Sequence, residues 1–176
     1  MISINEIGDG GLPLSSKVGR LIALHGEKST RDLLRTMIEE EFLGKIAVVS
    51  SFGIESAVLL DLVAKISKEI PVIFLETGKH FPETLEYRDS LVSHLGLKNV
   101  RDEKPRASQI KDDDPDGELW RVNTDYCCHV RKVLPLERSL EPFEAWITGR
   151  KRFQSDTRVK LAAIEQDGRH IKISAY

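Results

Sequence analysis

The sequence predicts an α/β fold in which a parallel sheet is flanked by helices. Residues 45–50 and 70–75 are short apolar runs with several β-branched side chains, as in strands that are buried on both faces. Each run is followed by a helical pattern, at residues 56–66 after the first and from Pro82 after the second. Strands that alternate with helices indicate right-handed crossovers and a Rossmann-like sheet.

The remaining elements continue this alternation. In chain order, the sequence predicts helices at residues 17–25 and 30–42, a strand at 98–101, a helix at 125–140, a strand at 144–148, and a terminal hairpin of residues 159–164 and 170–174. Ser29 can cap the helix that follows it, Pro82 suits a first helical turn, and Gly96 suits a helix end. Asp167 and Gly168 suit the hairpin turn.

Length, composition and charge indicate a single domain of residues 1–176, with residues 1–13 as a loose N-terminal arm. A net charge of -2 argues against a general nucleic-acid or membrane-surface binder. No apolar run approaches the roughly 20 residues of a membrane span, and the N-terminus lacks the pattern of a secretory signal. Two cysteines do not make a disulfide framework. We therefore expect a cytoplasmic protein.

Residues 104–117 interrupt the alternation with two prolines and an acidic run. The composition predicts a surface loop. An acidic metal site is the alternative, which we rank lower because acidic runs are usually solvated.

The turns after the two central strands suggest an anion and nucleotide site. Ligands of open α/β sheets bind at the carboxyl ends of the strands. There, SSFGIES (residues 50–56) offers hydroxyls, backbone N–H groups and a helix N-terminus, and Gly53 permits close approach or a positive φ. LETGKHFPET (residues 75–84) places Gly78 at the same edge. A serine-capped helix and a glycine turn are the plain alternatives, and neither a Walker loop nor a G-x-G-x-x-G motif is present.

A basic loop, TGRKRFQSDTR (residues 148–158), follows the strand predicted at residues 144–148. Arginine binds phosphate and sulfate through a two-pronged hydrogen-bond pattern, and lysine adds point charge. A solvated basic turn is the alternative. Because the loop follows a strand, we favour the interpretation that it forms a second part of the anion site.

Cys127 and Cys128 are neighbours in TDYCCHVRKVLPL (residues 124–136). Four interpretations remain open: buried structural thiols, a strained vicinal disulfide, a reactive thiol, or ligands of a metal or cluster. On a helix the two side chains point about 100° apart, which suits a large iron–sulfur cluster better than a small zinc site. Arg131 and Lys132, one turn on, could stabilise thiolates and an anionic cluster.

These four segments, in their order along the chain with the cysteine pair before the basic loop, resemble the sulfonucleotide reductases. These are the adenylylsulfate (APS) and phosphoadenylylsulfate (PAPS) reductases of assimilatory sulfate reduction. The resemblance extends from residue 45 to residue 176, and the cysteine pair is similar to the iron–sulfur branch, which mainly reduces APS. It implies an adenine nucleotide alpha hydrolase-like fold of the PP-loop type. The implied reaction is attack of a cysteine thiolate on the sulfur, release of AMP, and release of sulfite by thioredoxin or glutathione/glutaredoxin.

The resemblance also implies roles for individual residues. Cys127 and Cys128 would be two of four ligands of a 4Fe-4S cluster, and Lys132 would lie between cluster and substrate and support catalysis. The residues implied to bind substrate are Ser50, Ser51, Phe52, Gly53 and Glu55 at the phosphosulfate, Leu75, Thr77 and Gly78 at the adenosine, and Gly149, Arg150, Lys151 and Arg158 near the sulfate.

The sequence departs from this family pattern in one respect. Members continue past the position of Tyr176 with a C-x-x-C that completes the cluster and an E-C-G-I/L-H tail that carries the catalytic cysteine, and neither is present here. We therefore expect a form without its catalytic tail, which holds no stable cluster and has no reductase activity.

Three other functions remain open. They are PAPS reduction, a PP-loop ATP pyrophosphatase or adenylating enzyme, and a non-catalytic nucleotide-binding remnant. Phe52 and Glu55 depart from the S-G-G-x-D-S loop of the pyrophosphatases and count against the second. The sequence leaves the oligomeric state open, with a homo-oligomer among the options.

Overall fold

The computed structural model of the protein describes residues 13–149 and 163–175. Within these ranges one sheet has the strand order β3-β2-β1-β4-β6-β5. Its strands are Ile46–Val49 (β1), Val72–Leu75 (β2), Val100–Glu103 (β3), Ala145–Thr148 (β4), Ile164–Asp167 (β5) and His170–Ser174 (β6). Every neighbouring pair is parallel except β5 and β6, which are antiparallel. The predicted α/β fold with a parallel sheet is confirmed, with one antiparallel edge strand added.

Helices cover both faces of this sheet. They are Leu14–His25 (α1), Thr30–Thr36 (α2), Ile54–Ile66 (α3), Pro82–Leu95 (α4), Ala107–Asp113 (α5), Leu119–Val122 (α6), Thr124–Cys128 (α7) and Leu134–Leu140 (α8). Two π-helical turns, Met37–Glu41 and His129–Val133, continue α2 and α7. The Ser29 hydroxyl accepts a hydrogen bond from the Asp32 amide, and Gly96 ends α4 in the left-handed conformation, both as predicted. None of the helices described has both the length and the apolar character that crossing a membrane requires.

Successive residues of β1 face opposite sides of the sheet, which explains its continuous apolar run. Ile46 and Val48 join the larger core, into which α1, α2 and α3 pack. Ala47 faces a smaller cluster with Leu140 and Trp146 on the other side. Burial on both faces is typical of a parallel sheet. On the second face, α8, which follows the cysteine pair, packs against β1 and β2.

Three predictions of local structure need correction. Residues 104–117 are not a plain surface loop, because α5 forms within them and its C-cap Asp114 is buried. The helix predicted at residues 125–140 is interrupted by the π-helical turn His129–Val133. The described strand before β6 is Ile164–Asp167, which shares only Ile164 with the predicted residues 159–164. Residues 159–162 and the predicted arm up to residue 12 lie outside the described residues.

The terminal hairpin also has a place in the sheet that the sequence did not indicate. β6 pairs in parallel with β4 on one side and antiparallel with β5 on the other. The chain therefore crosses over to insert β6 beside β4, and the carboxyl ends of β1, β2, β4 and β6 share one edge of the sheet. The candidate site lies at this edge.

Candidate functional site

A cleft of about 650 Å³ opens at the carboxyl edge of β1, β2 and β4. This volume is typical of a small-molecule or nucleotide pocket. Residues from both predicted strand-end turns line it: Ser50, Ser51, Gly53, Glu55, Leu75 and Thr77. Lys132 and Gly149 reach the same cleft from the cysteine segment and from the end of β4. The structure thus brings together residues that are up to about a hundred positions apart in the sequence.

The first turn is shaped by a hydrogen bond inside it. The hydroxyl of buried Ser50 accepts a hydrogen bond from the Phe52 amide at 3.1 Å, and Gly53 then caps α3. The N-terminus of α3 carries a partial positive charge at the cleft wall, where Gly53, Ile54 and Glu55 line the cleft. Such an arrangement binds phosphate or sulfate well.

Phe52 differs from its predicted role. Its side chain is 1% exposed and packs edge-on against Phe74, with ring centroids 5.6 Å apart, so it belongs to the core and not to the cleft lining. Phe52 also carries the positive φ, 54°, that the sequence suggested for Gly53, whose φ is -68°. A left-handed conformation is costly for a bulky side chain, so burial of the ring must hold the turn in place.

The second turn is held by its own side chains. The buried Thr77 hydroxyl accepts from the Lys79 amide at 3.2 Å, and the Glu76 carboxylate accepts from the Gly78 amide at 2.8 Å. Gly78 has a φ of 72° and does not line the cleft. Its α-carbon instead faces Arg131, since an added Cβ would lie 3.5 Å from Nη1 of that residue. Gly78 is therefore required by the turn, and Leu75 and Thr77 provide the cleft wall.

Arg131 and Asp114 form a buried ion pair behind this turn. The Arg131 guanidinium donates to Oδ2 of Asp114 through Nε at 3.1 Å and Nη2 at 2.5 Å, and Nη1 donates to the Thr77 carbonyl at 2.6 Å. Burial alone would raise the pKa of Asp114, but hydrogen bonds from Arg131 and from the Leu119 amide outweigh it and lower that pKa. The acidic segment thus contributes a partner for Arg131, whose guanidinium is directed to Asp114 and to the Thr77 carbonyl.

The cysteine pair lies at the end of α7. Cys127 is 7% exposed, Cys128 is half-buried, and both are free thiols. Asn123 caps the helix by accepting from the Tyr126 amide at 3.0 Å. The π-helical turn begins directly after Cys128, and such turns are frequent at functional sites. Within the described ranges no group of three or more His, Cys, Asp or Glu side chains is placed to hold a metal ion.

The basic loop leaves the strand at the cleft. Gly149, the last described residue before it, lines the cleft together with Thr148. The predicted anion ligands Arg150, Lys151 and Arg158 lie outside the described residues, so their role stays a prediction.

Other cleft residues were not found from the sequence. His80 lines the cleft, lies against the Phe74 ring and contacts the Leu75 carbonyl through Nε2 at 3.0 Å. Lys172 and Asp167 come from the last two strands, where Asp167 accepts from Nε1 of Trp146 at 3.2 Å. Lys172 lies beside Trp146 within the sheet, and Asp167 pairs with His170 at the start of β6. Nothing in the local pattern marks these two, because only the insertion of β6 beside β4 brings them to the cleft. His80 lies within LETGKHFPET, but no role was predicted for it.

Comparison with known proteins identifies the fold and the family. Residues 45–174 match the phosphoadenosine phosphosulfate reductase domain. A protein named adenosine 5'-phosphosulfate reductase from Mesorhizobium japonicum is 47% identical over 97% of this chain and 67% of its own length. One of the same name from a Chelativorans strain is 48% identical over 74% of this chain and 54% of its own length. The chain thus spans between about half and two thirds of the length of these relatives.

A solved structure agrees with this match. The PAPS reductase of Candida auris, crystallised as a phosphate complex, superposes with a TM-score of 0.74 at 25% identity, over 94% of this chain and 81% of that one. The matched domain covers β1 through β6 and includes both strand-end turns, the cysteine pair and the basic loop. The chain belongs to the phosphoadenosine phosphosulfate reductase family.

Proposed function

We propose that the cleft binds adenylylsulfate and that the protein acts in the reduction of this nucleotide to sulfite and AMP. One observation carries the proposal: Lys132, four residues after Cys128, lines the same cleft as the two strand-end turns. A cationic side chain next to a cysteine pair and a helix N-terminus suits a substrate that joins a nucleotide to a sulfate. The relatives named adenosine 5'-phosphosulfate reductase support the choice of substrate.

Each part of the cleft has a task in this proposal. The first turn and the N-terminus of α3 would receive the phosphosulfate, because a helix N-terminus offers a partial positive charge to an anion. Leu75 and the second turn would hold the adenosine. Lys132 would neutralise charge that develops on the leaving phosphate as the bond to sulfur breaks.

The proposed chemistry is a nucleophilic displacement at sulfur. A cysteine thiolate attacks the sulfur, the bond between sulfur and the bridging oxygen breaks, and AMP leaves with the electron pair. The product is a cysteine S-sulfonate. A thiol of a thioredoxin-type donor or of glutathione then attacks the cysteine sulfur, which releases sulfite and leaves a disulfide. We assign the nucleophile to neither Cys127 nor Cys128, so the thiolate would come from outside these 176 residues.

PAPS is the second candidate substrate, because the Candida auris structure is a PAPS reductase. It differs from APS by a 3′-phosphate, which adds negative charge at the adenosine side of the cleft. We favour APS because the relatives with 47% and 48% identity carry that name.

Calorimetric titration with APS, PAPS and AMP tests the proposal. We expect Lys132→Ala to weaken APS binding by about 1.5–3 kcal/mol, the usual cost of a lost hydrogen bond to a charged group, and to weaken AMP binding as well, because AMP carries the phosphate that Lys132 would neutralise. Lys65→Ala is the matched control, because Lys65 is an exposed lysine in the last turn of α3, away from the cleft. Equal APS affinity in the wild type and Lys132→Ala would contradict the role of Lys132, and tighter binding of PAPS than APS would favour the second substrate.

We further propose that Cys127 and Cys128 are cluster ligands. Their burial at a helix end and their side-by-side position fit two corners of a large cluster, which the resemblance implies to be 4Fe-4S. A 4Fe-4S cluster is normally held by four cysteine thiolates, and these 176 residues contain two. The residues present therefore supply half of a ligand set. When bound, such a cluster would place a charged, polarisable group beside the cleft.

The cluster proposal has a test that does not depend on activity. A form that joins residues 1–176 to a segment with a C-x-x-C, prepared without oxygen, is expected to retain iron and sulfide and to absorb visible light broadly. Cys127→Ser or Cys128→Ser should remove the iron, because a ligand is lost in each. Retention of iron by both variants would rule out ligation by this pair.

A further inference from the structure

Three segments that are distant in the sequence meet at the guanidinium of Arg131. This residue comes from the π-helical turn after the cysteines. Its Nη1 donates to the Thr77 carbonyl in the second cleft turn, and its Nε and Nη2 donate to Asp114 at the end of α5. The other Asp114 oxygen accepts from the Leu119 amide at 2.9 Å and so fixes the start of α6.

Burial of the pair argues for a geometric role. The side chains of Arg131 and Asp114 are 8% and 1% exposed. Because desolvation of two charges offsets much of their attraction, apolar residues often replace a buried ion pair without loss of stability. A planar guanidinium, in contrast, fixes the directions of several hydrogen bonds at once. The arrangement therefore determines relative positions more than it contributes net stability.

The hydrogen bonds of Arg131 connect two parts of the candidate site, the second cleft turn and the segment that carries the cysteine pair. At one end, Thr77 lines the cleft, and Gly78 next to it faces the guanidinium. At the other end, Arg131 is three residues from Cys128 and directly precedes Lys132, which lines the cleft. A shift of the Thr77 turn on ligand binding would therefore act on the backbone that carries the cysteine pair.

We propose that Arg131, held by Asp114, is a positioning residue that couples occupancy of the nucleotide cleft to the exposure of the cysteine pair. This inference depends on the proposed nucleotide binding. A ligand against the second turn fixes Thr77, the guanidinium fixes the π-helical turn, and Cys128 becomes less accessible. Since the coupling is reciprocal, a group bound to the cysteines would in turn change nucleotide affinity.

The coupling can be measured as protection of a thiol. Cys128 is modified with an excess of iodoacetamide, and its rate is followed by peptide mass spectrometry with and without saturating AMP. In the wild type we expect AMP to slow the modification about fivefold or more, the lower end of typical coupling between sites. In Arg131→Lys and in Asp114→Asn the ratio should fall close to one, because a lysine lacks the planar fork and an asparagine lacks the charge.

Two further variants make the test specific. Arg88→Lys alters another largely buried arginine, which pairs with Asp102 and takes no part in the Thr77 turn, so protection should be retained. Gly78→Ala perturbs the same hydrogen-bonded arrangement from the second cleft turn, because a residue with a Cβ is strained at a φ of 72° and would shift the turn that carries the Thr77 carbonyl. This variant should reduce protection even if the Arg131 variants fold poorly.

The outcomes separate this inference from the proposed function. If wild-type protein binds no AMP in calorimetry, the nucleotide site itself is wrong and the coupling falls with it. If AMP binds but the wild type shows no protection, or if Arg131→Lys and Asp114→Asn keep full protection, AMP binding stands and the coupling is overturned. Loss of protection in these variants but not in Arg88→Lys supports it.

Discussion

Arg131→Met is expected to lower the free energy of unfolding by about 3–5 kcal/mol, because it leaves the Asp114 carboxylate buried without its charged partner. The side chain of Asp114 is 1% exposed, so water cannot replace the lost hydrogen bonds without opening the structure. Small domains have a total stability of about 5–15 kcal/mol, so the change removes a large part of it. Urea denaturation followed by circular dichroism measures the effect.

Two measurements separate the lost partner from lost packing. The double variant Arg131→Met, Asp114→Leu should regain most of the stability, because no charge is then left buried. The pKa of Asp114 is lowered in the folded protein. The stabilisation that the ionised Asp114 carboxylate gives to the folded state is therefore present above the unfolded carboxyl pKa of about 3.9. It is lost as pH falls below that value toward the folded pKa. Asp114→Asn should lack this acid dependence. A loss under about 1 kcal/mol in Arg131→Met would mean that the pair is effectively solvated.

Phe52→Ala is expected to cost about 3–5 kcal/mol, the usual range when a buried aromatic side chain is removed. The ring is 1% exposed and packs against Phe74. Phe52→Gly should be less damaging than Phe52→Ala by about 1 kcal/mol, because glycine adopts the observed φ of 54° without strain. Thermal and urea unfolding of the two variants give this order directly.

Phe81→Ala is the matched control for Phe52. Phe81 is 76% exposed at the start of α4, so its removal should change stability by less than about 0.5 kcal/mol. If Phe52→Ala and Phe52→Gly prove equally stable, the left-handed backbone carries no strain. If Phe52→Ala is harmless, the ring is not part of the core.

The order of strands and helices followed from the sequence because the signals are local. Continuous apolar runs predicted β1 and β2, and Pro82 and Gly96 predicted both ends of α4. The position of the cleft also followed, since parallel strands bring their carboxyl ends to one edge. The two turns that contain Ser50 and Thr77 lie at this edge.

The acidic segment, residues 104–117, has a structure that its local sequence did not predict. Its charges suggested a solvated loop, yet α5 forms there and directs Asp114 inward. A carboxylate can be buried only if a cation meets it, and the cation is 17 residues further along the chain. The composition of the segment does not reveal the contact between Asp114 and Arg131. The place of Phe52 is a similar case, because its strained backbone depends on Phe74 from the next strand.

The sequence by itself determined the parallel α/β fold, the two strand-end turns and the cysteine pair beside two cations. Only the tertiary structure decided that the two cations separate, with Arg131 buried against Asp114 and Lys132 directed to the cleft. The physical reason is that a charged side chain is buried only where distant segments supply its partners. For Arg131 these partners are the Asp114 carboxylate and the Thr77 carbonyl, 17 and 54 positions away in the chain.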